Sequence, residues 1–81
     1  MAWTDRPTPA QLGTYGHMLH WAIDDDEYHE IVAYLEKNIT RMQMSQELSR
    51  LHNIRENRIG KSLNREDVWA SPLLTNLRKE K

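Results

Sequence analysis

The sequence predicts an all-α fold: a small single-domain bundle of three main helices followed by a short C-terminal helix. Three observations carry this reading. Apolar residues recur at three- and four-residue intervals in three successive windows, each window opens on a capping pattern, and the chain lacks the sustained alternation that strands need. At 81 residues it holds one domain, and a domain of that size buries only about 60% of its unfolded surface, so its core is thin.

Residues 1–7 read as a flexible strap, in which Trp3 and Pro7 are the only residues suited to packing. The core spans 8–63. Its first helix, about 9–23, opens on Thr8-Pro9-Ala10-Gln11, which supplies a capping hydroxyl, a proline at the first helical position and a glutamine at the third. Leu12, Tyr15, Leu19, Ala22 and Ile23 then share a face. Gly13 and Gly16 weaken this helix by up to about 1 kcal/mol each and make room for a neighbouring segment.

The second helix, about 25–37, follows Asp24-Asp25-Asp26-Glu27, where Asp24 and Glu27 form a cap pair and the acids suit a helix N-terminus. Tyr28, Ile31, Val32 and Leu35 form its inner face. After Asn38-Ile39 the third helix starts at Thr40, with Thr40 and Gln43 as a capping box and Ile39 and Met44 as a hydrophobic staple. It runs to about residue 53 or 59. Met44, Leu48 and Leu51 form its buried stripe, leaving Met42, Gln43, Gln46, Ser49, Arg50 and Asn53 outside and Glu47 to one side.

Residues 54–63 read either as a continued helix stopped by Gly60, as coil, or as a hairpin wing; the lack of alternation around Asn57-Arg58-Ile59-Gly60 favours helix or coil. In the C-terminal segment, 64–81, Ser71-Pro72 caps a short helix with Leu73, Leu74 and Leu77 on one side. That helix either docks on the core or serves a partner. Arg78 to Lys81 are expected to fray.

Net charge is only −1, but its distribution is uneven. Residues 1–37 carry seven acidic against two basic side chains, a balance of −5, and residues 38–81 carry nine basic against five acidic, a balance of +4. Such a chain can turn a positive face to phosphate while staying nearly neutral overall.

The segment from Val32 to Leu51 resembles the helix-turn-helix family of DNA-binding domains. Val32, Leu35, Ile39, Thr40, Met44, Ser45 and Leu48 stand where that family has its first-helix core, turn, capping hydroxyl and recognition helix. Glu36-Lys37-Asn38 makes the turn about two residues longer than the common form. The resemblance implies that helix three enters the major groove of double-stranded DNA. Gln43, Gln46 and Arg50 then read bases, since Gln pairs with adenine and Arg with guanine. Arg41, Ser49, Arg55, Arg58 and Lys61 complete the expected contact set, largely on phosphates.

No Gly-rich phosphate loop, nucleophile elbow or cysteine is present, so neither an enzyme nor a cofactor is expected, and disulfides and cysteine-ligated zinc are excluded. His17, His20 and His29 offer no fixed ligand set, and no metal is expected. The N-terminal residues lack a signal-peptide pattern and no window is apolar enough to span a membrane, giving the expectation of a cytoplasmic protein. The leading expectation is a non-enzymatic DNA-binding protein, a regulator of the size and composition common among phage and mobile-element accessory proteins. The alternative is a protein-interaction module, an adaptor or small inhibitor, or a homodimer, using the acidic cluster or the C-terminal apolar segment.

Overall fold

The computed structural model describes residues 4–79, and among them there is no strand. Helix α1 covers Pro9–Leu19, α2 Asp25–Asn38 and α3 Arg41–Glu56. A short α4, Arg65–Trp69, precedes a 3-10 turn at Pro72–Leu74 that runs into α5, Thr75–Lys79. The all-α bundle is thus the fold; Trp3, Glu80 and Lys81 lie outside the described residues.

Helix α1 packs on both α2 and α3, the 3-10 turn lies against α2, and α4 lies against α3. Where they meet, Tyr15, Leu19, Ile31, Leu35, Met44, Leu51, Val68 and Leu74 are fully buried, with Ile39, Leu63 and Leu77 nearly so. The C-terminal segment therefore completes the core. Ser71 caps the 3-10 turn, its hydroxyl accepting from the Leu73 amide at 3.2 Å. Arg78 does not fray: its guanidinium donates to the Trp69 carbonyl at 2.7 Å.

Local chemistry sets the helix starts. Both arms of the capping box form at Thr8 with Gln11 and at Thr40 with Gln43, satisfying two of the amides that an N-terminus leaves open. At Asp24 one arm of the expected pair forms: the Asp24 side chain makes no cap bond, while the Glu27 carboxylate accepts from the Asp24 amide and is also held by Arg65 at 2.6 Å. A fourth start, Asn64 with Asp67 as a capping box, opens α4.

Helix α1 stops at Leu19, short of residue 23, because the Leu19 carbonyl takes both the Ala22 and Ile23 amides in a tightened turn. Helix α3 ends at Glu56, and 57–61 form a turn with Gly60 at φ 85° and Lys61 at φ 48°. The last turn tightens as the Arg58 amide bonds to the Arg55 carbonyl at 3.3 Å, the left-handed pair then redirects the chain toward α4, and with no strand among the described residues there is no wing. Gly16 is buried, and a Cβ on it would stand 2.7 and 2.9 Å from Cε2 and Cζ of Tyr28. The α1–α2 contact needs that glycine.

Within the segment expected as a strap, residues 5–7 lie against the start of α3. The Arg41 amide donates to the Asp5 carbonyl at 2.6 Å, Arg6 donates to the Ile39 carbonyl at 3.0 Å, and Pro7 is buried.

Candidate nucleic-acid interface

Helix α3 carries six of the eight expected contact residues. Its first turn is occupied from within the chain. Gln43 Oε1 accepts the Thr40 amide at 2.9 Å, so this side chain is folded back rather than extended toward a groove. Arg41 is half-buried, with its amide on Asp5 and its carbonyl accepting from Gln11 Nε2 at 3.3 Å. A recognition helix meets base edges with its N-terminal residues; here residues 5–7 and Gln11 lie over that end.

Farther along, Gln46 and Ser49 are exposed. Arg50 is not an outward reader. Helix α3 is rotated so that Glu47 is inside, 3% exposed, and Leu48 lies half-buried beside it. Arg50 grips Glu47 with two hydrogen bonds, at 2.8 and 3.0 Å, and donates to the Asp67 carbonyl at 2.9 Å. A carboxylate out of water needs such a partner. The Glu47 hydrogen bonds hold the Arg50 pKa above its ordinary value.

The same holds beyond α3. Arg58 makes a two-point ion pair with Asp67 and also reaches the Ser62 carbonyl. Hydrogen bonding from Arg58 keeps the Asp67 carboxyl below its usual range. Arg65 pairs with Glu27 across 38 residues of sequence and lies 5.8 Å over the Trp69 ring; it likewise holds Glu27 low. Lys61 stands 3.6 Å from Glu56 and stays exposed. Of the five basic side chains from 50 to 65, only Arg55 has no ion pair among the described residues.

Arg55 lines a groove between α1 and α3 that the periodicity argument passed over. It consists of two adjoining hollows of about 360 and 210 Å³, sharing His17, Met18 and Arg55 as common walls. The first also has Leu48, Ser49 and His52; the second has Trp21, Lys61 and Leu63. Trp21 is 85% exposed. The signal was present in sequence: Thr14, His17, Met18 and Trp21 on one segment and Leu48, His52 and Arg55 on another are rows at helical spacing. Neither row could be seen to face the other without the fold.

A cleft of about 540 Å³ between α1 and α2 gathers His17, His20, Asp25 and His29 around Tyr28. Among the described residues, no group of three or more histidine or acidic side chains is placed to hold a metal ion. No helix in the described residues is long and apolar enough to cross a membrane. Comparison with protein families, curated proteins and solved structures finds no match for this chain.

Proposed function

We propose that this chain is a small non-enzymatic protein-interaction module working through the α1–α3 groove, rather than a reader of duplex DNA through α3. The observation that carries this reading is the pairing of Arg50, Arg58, Lys61 and Arg65 with carboxylates of the same chain.

A magnitude separates the two classes. Each phosphate neutralised contributes about −0.9 to the slope of log affinity against log salt, and a strong DNA binder makes about 6–10 such contacts. Of the basic side chains from 50 to 65, Arg55 and the loosely held Lys61 supply two. Two contacts give a slope of about −2 and leave binding in the weak, non-specific range. The C-terminal apolar segment is largely taken up by the fold, since Val68, Leu74 and Leu77 are in the core and Trp69 and Leu73 are half-buried against it. The α1–α3 groove combines an apolar floor with an exposed tryptophan, the composition of interface centres.

Titration of labelled random duplex DNA at 50 and 200 mM salt tests the choice. The expected result is a dissociation constant of about 10⁻⁴ M or weaker near physiological salt. Submicromolar binding abolished by Gln46→Ala or Ser49→Ala, both at exposed positions, would overturn the proposal and establish α3 as a DNA reader.

A further inference from the structure

We infer that the α1–α3 groove accepts an acidic amphipathic segment of a partner protein, with two apolar side chains seated in its two hollows and flanking carboxylates on its basic rim. This deepens the interaction-module reading and rests on it.

Charge complementarity selects the occupant. Met18, Leu48 and Leu63 give the floor its apolar surface, while His17, His52, Arg55 and Lys61 stand around it. None of the described residues lining either hollow is acidic, in a chain that has twelve acidic residues. Among the described residues, Arg55 is the basic side chain from 50 to 65 that no carboxylate holds. Volume argues for a chain segment over a small ligand. At about 360 and 210 Å³, the hollows fall at or below the low end of the roughly 300–1,000 Å³ that encloses a drug-sized molecule. Two such hollows side by side suit two anchoring side chains of one peptide, the pattern by which grooves read amphipathic segments. Trp21 at the mouth adds a large rigid surface of the type that dominates binding energy.

The probe is a synthetic peptide with Phe and Leu four positions apart in an Asp/Glu background. Two further peptides replace every acid with Asn/Gln or with Lys. Binding to the full ¹⁵N-labelled chain is followed by amide shifts and by the Trp21 indole resonance. Saturable shifts confined to residues 14–21, α3 and residues 61–63 are expected for the acidic peptide. Arg55→Glu, a surface change, should weaken binding about tenfold, and the Asn/Gln peptide should bind several-fold more weakly. Trp21→Ala, at another exposed position, serves as a second variant and should also weaken it. Equal binding of the Lys peptide, shifts elsewhere, or no saturation at millimolar peptide overturns the assignment. So does tighter occupation of the same resonances by oligodeoxythymidine, or by a second copy of the chain on concentration. Peptide failure alone removes this inference and leaves the module reading, which falls with tight duplex binding.

Discussion

Arg50 and Glu47, one turn apart on α3, form a two-point ion pair in which the Glu47 side chain is 2% exposed and the Arg50 side chain 28%. The pair faces inward to α4, where Arg50 also holds the Asp67 carbonyl. Its position turns the most basic part of the sequence into a structural joint between α3 and the C-terminal segment.

Removing one partner should cost far more than removing both. Truncating a buried partner typically costs about 3–5 kcal/mol, and the partial exposure of Arg50 places Arg50→Ala nearer 2–3 kcal/mol. The double change Glu47→Leu with Arg50→Met should lie within about 1 kcal/mol of the parent. Urea melts of the parent, Glu47→Leu, Arg50→Met and the double variant give the coupling energy directly, and additive effects would show that the pair is not a unit.

Tyr15 is fully buried, and its hydroxyl has no hydrogen-bond partner among the described residues. Burial, with the nearby Glu47 charge, drives its pKa upward. An unsatisfied buried hydroxyl carries a desolvation penalty of about 1–3 kcal/mol. Tyr15→Phe should therefore be neutral or stabilising by up to about 1 kcal/mol in the same melts. A loss exceeding that amount would mean the hydroxyl is bonded in solution.

The two glycines of α1 should respond oppositely to alanine. A Cβ at Gly13 meets nothing within 4 Å, so Gly13→Ala should stabilise by up to about 1 kcal/mol through helix propensity. Gly16→Ala forces a side chain into the Tyr28 ring and should destabilise by about 1–3 kcal/mol. Adding Tyr28→Ala to Gly16→Ala tests the cause, since the combined loss should be smaller than the sum of the two single losses.

Acid should weaken the joint between α4 and the rest. The Asp67 and Glu27 carboxyls both lie below their ordinary pKa, chiefly through hydrogen bonds from Arg58 and Arg65. A depressed folded-state pKa means stability that is fully present above the unfolded value, about 4, and lost as pH falls through the folded one. Thermal melts should change little from pH 7 to about 5 on this account and fall below about 4, with a shallower acid fall in Asp67→Asn. An identical acid slope in that variant would contradict the assignment.

Helix starts were legible because their chemistry is local. Thr8 with Gln11 and Thr40 with Gln43 announce themselves within four residues, and both boxes form. Asn64-Arg65-Glu66-Asp67 is equally local, yet it passed unnoticed because an aspartate takes the place where glutamate or glutamine is usual. The charge pattern misled for a different reason. Glu27 with Arg65 and Arg58 with Asp67 join residues 38 and 9 apart, so cations and anions separated along the chain meet only when it folds. Counting charge by segment therefore overstated the field on α3. The turn of α3 that puts Glu47 inside and Leu48 beside the groove was hidden too, because helical periodicity places residues relative to one another without saying which arc meets a neighbour.

The bond from the Arg41 amide to the Asp5 carbonyl couples the third helix to whatever is attached ahead of the chain. A bulky tag fused there would tug on the opening turn of α3, whereas one placed after a generous flexible spacer would not. Amide exchange at Arg41 would then serve as a gauge of whether a fusion has disturbed the molecule.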